Sequence, residues 1–246
     1  MKSICTFLIA ALSVFSFTGC RTTKLLNATF ESDAIGSLPA KDAAGAPAGD
    51  SVSYESVSHP RLRVQASSVK AGQKALFYSQ AALTGSVTTF NQWLQFKGIR
   101  SNYAQTIWFY WTAKLNFNSG NLLIDIQGMQ ALWAARLKIL NNGQVQLIRN
   151  VASEQNNETL GTLNRQITHT IFLTLNPQAR TYNLTILGTQ DGTPITRLDI
   201  PVLGIPNPEF DSDVQRPSIS FRYQEATIDP AGAYILEEVF INRRQP

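Results

Sequence analysis

The reactive side chains of this sequence do not form a pattern that performs chemistry. The two histidines, His59 and His169, lie far apart and outside the His-x-x-x-His spacing that binds a metal. The chain contains neither a Gly-x-Ser-x-Gly elbow nor a phosphate-binding glycine loop. The segment LLIDIQG (122–128) has one carboxylate, Asp125, which cannot act as both acid and nucleophile. The sequence therefore predicts no catalytic residues and favours a protein that is not an enzyme.

Aromatic side chains close to amides form a group that could bind a ligand. Trp108 and Tyr110 lie in the segment TIWFYWTAKLNF (106–117), and Trp93 follows Asn91 shortly before it. Aromatic rings stack on the apolar faces of sugars, and amide groups hydrogen-bond their hydroxyls. These four residues therefore predict a glycan-binding site. The alternative is that a two-layer fold buries the same rings.

Short strand-like segments separated by Gly, Asn and Pro turns make up most of the chain. In residues 106–117 one face collects the apolar side chains Ile107, Phe109, Trp111, Ala113, Leu115 and Phe117. In residues 131–140 the same alternation predicts a common face for Trp133, Ala135, Leu137 and Ile139. Asn-Asn-Gly (141–143) is a strong hairpin signal. This pattern predicts an all-β fold, a two-sheet antiparallel β-sandwich.

Composition excludes several classes of protein. The 246 residues suit one large β domain, and the formal charge of +4 is not clustered, so nucleic acid is not an expected partner. Charged residues make up 15%, against about 25% in typical globular domains. A polar but uncharged surface of this kind is common in extracellular β proteins. The two cysteines, Cys5 and Cys20, cannot build a disulfide framework.

The N-terminus has the layout of a secretory signal peptide. A basic Met1-Lys2 precedes an apolar run (4–17), which the small residues Thr18-Gly19 separate from Cys20. The sequence FTGC resembles the lipobox of bacterial lipoproteins, with a phenylalanine where leucine is usual. The resemblance implies cleavage before Cys20, so residues 1–19 are the signal peptide and Cys20 carries the lipid. An ordinary signal peptide cut nearby is the alternative.

The lipobox resemblance also implies a location. Residues 20–24 then form the lipidated cysteine and a short tether, and the body of the protein stays in water at a membrane surface. Arg21 follows the cysteine instead of an aspartate. By resemblance to the sorting rule of enterobacterial lipoproteins, this implies the outer membrane of a bacterial cell envelope.

Two motifs at opposite ends of residues 25–246 suggest a fold family. Phe30-Glu31 is followed by Gly36 and Pro39, and the last strand-like segment contains Leu236-Glu237-Glu238-Val239. The arrangement resembles the concanavalin A-like and laminin-G-like jelly rolls of bacterial envelope proteins. The resemblance implies a single jelly-roll domain. Glycan hydrolases of this fold carry a Glu-x-Asp-x-x-Glu strand, which this sequence lacks.

The resemblance also implies a metal site. Strict alternation would place Glu237 on one face with Ile235, Val239 and Ile241, where an unpaired carboxylate is costly. Related sugar-binding jelly rolls hold calcium where the two chain ends meet. By that resemblance Glu31, Asp33 and Glu237 are the expected calcium ligands. The alternative is that Glu237 pairs with an arginine or lies at a solvated sheet edge.

Together these observations predict a lipid-anchored cell-envelope protein with a lectin-like, glycan-binding jelly roll. The first alternative is a glycan-degrading or glycan-modifying enzyme whose site is assembled from scattered residues. The second is a structural or adhesion lipoprotein that binds protein partners.

Overall fold

The computed structural model describes residues 24–40, 62–80, 93–99, 105–129, 132–150, 157–206, 216–224 and 229–243. These residues form fifteen β-strands and no helix. The strands are β1 (Lys24–Ala28), β2 (Leu62–Ala66), β3 (Lys74–Gln80), β4 (Trp93–Lys97), β5 (Ile107–Asn116), β6 (Asn121–Met129), β7 (Leu132–Leu140), β8 (Gln144–Leu147), β9 (Glu158–Thr162), β10 (His169–Asn176), β11 (Thr181–Leu187), β12 (Ile195–Pro201), β13 (Ile205–Pro206), β14 (Ser218–Gln224) and β15 (Asp229–Asn242).

The strands form two antiparallel sheets. One is eight-stranded, in the order β12-β11-β10-β5-β15-β3-β2 with β1 paired to β15. The other is seven-stranded, in the order β4-β14-β6-β7-β8-β9 with β13 paired to β7. Some strands that follow one another in sequence, such as β4 and β5, lie in different sheets. The predicted all-β, two-sheet antiparallel β-sandwich is confirmed.

A single large hydrophobic core fills the space between the sheets. The apolar face predicted for β5 is confirmed, because its alternate side chains from Ile107 to Phe117 are at most 1% exposed. The predicted hairpin at residues 141–143 is also confirmed, since β7 pairs with β8 and Gly143 has a φ of 88°. Glycine adopts this left-handed conformation without steric cost.

Two bulges overturn face assignments made from strict alternation. In β7, Ala135 pairs with Ile126 but Trp133 pairs with Gln127, so Ala134 is an extra residue. Ala134 and Ala135 both join the core, and the Trp133 ring instead packs under the Arg136 guanidinium. The prediction that Trp133 shares a face with Ala135 is therefore wrong, because a bulge restarts the alternation.

The second bulge lies in β15. Leu236 pairs with Ala113 and Glu238 with Thr112, so Glu237 is the extra residue. Ile235 consequently packs with Ala75 outside the main core, whereas Val239 and Ile241 lie inside it. The prediction that Glu237 shares one face with Ile235, Val239 and Ile241 is therefore wrong, because a bulge restarts the alternation.

No membrane-spanning helix is found in the part of the chain that the structure describes.

Candidate functional site

The predicted glycan-binding residues do not meet at one place. Trp93 begins β4 at the edge of the seven-stranded sheet, whereas Trp108 and Tyr110 lie on β5 within the eight-stranded sheet. Asn91 and the lipidation candidate Cys20 lie outside the described residues, as does the side chain of Trp93. The prediction thus divides between strands of the two sheets.

The outer face of the seven-stranded sheet, here called the polar face, lies opposite the core. Its side chains alternate along β4, β14, β6 and β7 with core residues such as Phe96, Phe221 and Ile124. They are unusually well buried for an outer face, each at most 8% exposed. The set comprises Gln95, Lys97, Leu123, Asp125, Gln127, Trp133, Arg136, Lys138, Ser218 and Ser220.

Strand register brings these side chains into rows across the sheet. Ser220 pairs with Gln95 on one side and with Asp125 on the other, and Asp125 in turn pairs with Arg136. In the next row Ser218 lies between Lys97 and Gln127. Paired residues on one face of a sheet have Cβ atoms about 5 Å apart, so each row is a continuous contact surface.

An ion pair forms the centre of the polar face. Arg136 donates from Nε to Asp125 Oδ1 at 2.5 Å and from Nη2 to Oδ2 at 3.0 Å. Its guanidinium carbon lies 4.1 Å from the centre of the Trp133 ring. The two-bond geometry and the ring contact fix both side chains. Asp125 is therefore engaged as an ion-pair partner.

Four hydrogen-bonding atoms around this ion pair have no partner among the described residues. They are the acceptors Gln95 Oε1 and Gln127 Oε1, the hydroxyl of Ser220 and the donor Trp133 Nε1. Each buried polar atom left without a partner costs about 1–3 kcal/mol. Buried polar groups in native proteins are nearly always hydrogen-bonded to protein, water or ligand. The polar face thus holds both donor and acceptor atoms that the described residues leave unsatisfied.

The outer face of the eight-stranded sheet has a different character. Trp108, Tyr110, Phe172 and Phe240 lie there half-buried. Tyr110 stands between the two phenylalanines, with ring centres 4.9 Å from Phe172 and 5.4 Å from Phe240. This surface, with the residues beside it on β5, β10 and β15, is called the aromatic face.

Tyr110 is held in place by its hydroxyl. It donates to Glu238 Oε1 at 2.6 Å, and the Thr112 hydroxyl lies 3.0 Å from the phenol oxygen and 3.1 Å from the same carboxylate oxygen. Burial, together with the neighbouring Glu238 carboxylate, raises the pKa of Tyr110 to about 12. The phenol therefore keeps its proton at neutral pH and remains a hydrogen-bond donor.

The expected calcium ligands lie in one region, but their oxygens already have other partners. Asp33 Oδ1 accepts from the Ala40 amide at 3.0 Å, and Glu31 Oε1 accepts from the Lys74 amide at 3.1 Å. The Lys74 ammonium donates to the backbone oxygens of Glu31 at 2.5 Å and Asp33 at 2.7 Å. A lysine ammonium thus occupies the position next to residues 31 and 33 where a cation would bind.

Glu237 does not complete a metal site with them. Its carboxylate is buried, and neither oxygen has a hydrogen-bond partner among the described residues. Burial raises its pKa, and the nearby Ser67 and Lys70 only partly oppose this effect. Within the described ranges no group of three or more His, Cys, Asp or Glu side chains could hold a metal ion. The residues present do not fit calcium, and calcium binding stays a prediction from sequence.

The β-sandwich is similar to solved structures at sequence identities that show the fold alone. A protein of unknown function from Shewanella oneidensis MR-1 matches with a TM-score of 0.50 and 11% identity, over 86% of this chain and 88% of that chain. An endo-1,3-beta-glucanase from Streptomyces sioyaensis matches with a TM-score of 0.49 and 8% identity, over 92% and 97%. Basic winged bean lectin matches with a TM-score of 0.42 and 10% identity, over 77% and 94%.

The chain spans only 16% of the length of a sialidase chain that it also matches, with 12% identity and a TM-score of 0.37. No family model matches the sequence. No curated protein matches it either. The similarity to the Shewanella oneidensis protein supports the β-sandwich fold alone, and the function follows from the surfaces of the molecule.

Proposed function

We propose that the protein is a lipid-anchored component of a bacterial cell envelope whose β-sandwich binds a glycan on its polar face. The four unpartnered atoms of Gln95, Gln127, Ser220 and Trp133 carry this proposal. Sugar hydroxyls donate and accept hydrogen bonds, so one class of ligand can satisfy amide oxygens, a hydroxyl and an indole N–H together. Trp133 also offers an aromatic ring beside them.

Binding is favoured over hydrolysis by the carboxylates of the polar face. Glycosidases use two carboxyl groups that flank the scissile bond, one as acid and the other as base or nucleophile. Among the described side chains of this face Asp125 is the single carboxylate, and Arg136 engages both of its oxygens. Glu237 and Glu238 lie on β15 in the other sheet. The polar face therefore fits a lectin-like role better than an enzymatic one.

The glycan proposal is tested with a glycan array and the purified full-length chain. Gln127→Leu removes an unpartnered acceptor, and Trp133→Phe removes the indole N–H while it keeps a ring. Each lost hydrogen bond is worth about 1.4 kcal/mol. We therefore expect each variant to bind any glycan detected on the array about tenfold more weakly than the unaltered chain.

Gln190→Leu is the matched control, because Gln190 is exposed and lies in a turn of the eight-stranded sheet. This variant is expected to bind like the unaltered chain. A blank array, or equal binding by all variants, would contradict the proposal for the polar face.

Support for the lipid anchor comes from the sequence FTGC at residues 17–20. Cys20→Ser removes the only thiol at the expected cleavage junction and is expected to release the protein from membranes. The check is metabolic labelling with a radioactive fatty acid, followed by separation of inner and outer membranes. Arg21 leads us to expect the label in the outer membrane, and an unlabelled chain that stays membrane-bound would contradict the anchor.

A further inference from the structure

Three neighbouring strands align their outward side chains on the aromatic face. β10 and β15 both pair with β5, and the register places Phe172, Tyr110 and Phe240 in one row. The row on one side consists of Thr170, Thr112 and Glu238. The row on the other side consists of Thr174, Trp108 and Asn242. A strip of three aromatic rings therefore runs across the strands, with hydrogen-bonding groups in both neighbouring rows and the Trp108 ring beside it.

The aromatic strip is partly exposed. Its three rings and the Trp108 ring are half-buried, whereas the core aromatics Phe109 and Trp111 on the same strand are at most 1% exposed. Soluble proteins rarely leave several large apolar side chains side by side at the surface unless the patch binds something. The partly exposed rings, side by side on one face, therefore point to an interaction surface.

Hydrogen bonds within the protein hold polar groups of the aromatic face in place before any ligand binds. The bonds of Tyr110 to Glu238 and Thr112 hold its ring in one orientation. The Lys70 ammonium lies 3.5 Å from the same Glu238 oxygen and balances its charge. Asn242, paired with Trp108, is 4% exposed, and its Oδ1 has no hydrogen-bond partner among the described residues. An acceptor that is buried and unpartnered next to an open ring points to a ligand with hydroxyl donors.

We infer that the aromatic face is a second carbohydrate-binding surface, separate from the polar face, that takes a neutral saccharide chain. A saccharide ring has apolar faces and hydroxyl groups around its edge, which matches a narrow aromatic strip with hydrogen-bonding rows on both sides. A protein interface instead has a wider apolar centre surrounded by a polar rim. Because the Lys70 ammonium balances the charge of Glu238, the flanking row carries no net charge, which suits a neutral saccharide.

The two surfaces lie on opposite outer sides of the sandwich, because they belong to different sheets. One molecule could therefore hold two saccharide chains at once. This inference does not depend on the polar face, because it rests on different residues and on a different sheet.

The test is calorimetric titration of the full-length chain with neutral hexasaccharides, namely cellohexaose, laminarihexaose and mannohexaose, and with an alginate hexamer. Trp108→Ala and Phe172→Ala are expected to weaken the binding of a neutral hexasaccharide at least tenfold while both variants stay folded at the assay temperature. Trp108→Phe, which keeps a ring, should retain most of the affinity. Leu198→Ala is the control, because Leu198 is an exposed apolar residue on β12 of the same sheet, and should change nothing.

Variants of the polar face distinguish the two proposals. Gln127→Leu is expected to leave the binding that depends on Trp108 unchanged. The inference is overturned if no neutral hexasaccharide binds, or if Trp108→Ala and Phe172→Ala bind like the unaltered chain. It is also overturned if sedimentation shows a dimer that Trp108→Ala dissociates, because the aromatic face would then contact a second copy of the chain.

Discussion

At the scale of single residues, the buried side chain of His169 has a strongly shifted pKa. Trp111 Nε1 donates to the Tyr234 hydroxyl at 3.1 Å, and the same hydroxyl lies 2.8 Å from His169 Nε2. His169 begins β10 and is fully buried.

Burial lowers the pKa of His169 to about 3, against 6.5 in an exposed histidine. Between these two values the unfolded chain binds the proton and the folded chain does not, so the free energy of unfolding falls as the pH falls. We expect His169→Gln, which stays neutral, to show a flatter dependence on pH between 6.5 and 4. Urea unfolding at several pH values measures the slopes, and identical slopes would refute the assignment.

Glu237 gives the opposite pH dependence. Because burial raises its pKa, the folded state holds the proton more tightly than the unfolded chain, and this stabilisation is lost as the pH rises through the folded pKa. We expect Glu237→Gln to raise the melting temperature at pH 7 and to have little effect at pH 4. A lower melting temperature at pH 7 would show that the carboxylate has a stabilising partner.

Calcium titration distinguishes a position filled by the Lys74 ammonium from a calcium site. Since the Lys74 ammonium already binds the backbone oxygens of Glu31 and Asp33, adding calcium or chelator is expected to leave the melting temperature unchanged. Lys74→Met should lower it by several degrees, because two charge-assisted hydrogen bonds are lost. A calcium-induced increase that Glu237→Gln abolishes would restore the calcium site expected from sequence.

At the scale of elements, the turn after β11 depends on a glycine. Gly188 has a φ of 82°, and a Cβ there would lie 2.5 Å from the Thr168 oxygen and 2.7 Å from the His169 Cα. Gly192 has a similar φ of 76°, but a Cβ there would meet nothing within 4 Å. Alanine substitutions at Gly188 and Gly192 therefore distinguish the cost of backbone strain from the cost of steric overlap.

We expect Gly192→Ala to cost about 1 kcal/mol, which is the strain of the left-handed conformation alone. Gly188→Ala should cost clearly more, because the backbone oxygen of Thr168 cannot move aside without disturbing β10. Chemical denaturation of both variants gives the difference, and equal costs would show that the turn relaxes freely.

At the scale of the whole molecule, the sandwich is stabilised by its core. None of the described residues is a cysteine, and both cysteines of the chain lie in residues 1–23. A chain of this size buries enough apolar surface to fold without crosslinks. We therefore expect dithiothreitol to leave the melting temperature unchanged, as measured by calorimetry. A clear decrease would show that an intermolecular disulfide contributes.

Much of the architecture follows from the sequence. Alternating apolar residues in β5 and the Asn-Asn-Gly turn after β7 are local signals, since a strand has a period of two and a left-handed turn needs glycine. Such signals predict strands, a hairpin and a two-sheet sandwich without knowledge of their partners. The aromatic members of a surface, Trp108 and Tyr110, could also be found in this way.

The tertiary structure alone decided which residues meet. The bulges at Ala134 and Glu237 turn Trp133 and Ile235 outward, and they exist because one strand carries an extra residue relative to its neighbour. The sequence of one strand alone does not show that it carries an extra residue relative to its partner. The rows of the polar and aromatic faces likewise join residues from strands that are distant in sequence. The sequence therefore determined the kind of fold and its apolar alternation, while strand pairing determined the two candidate binding surfaces, because register is a property of pairs of strands.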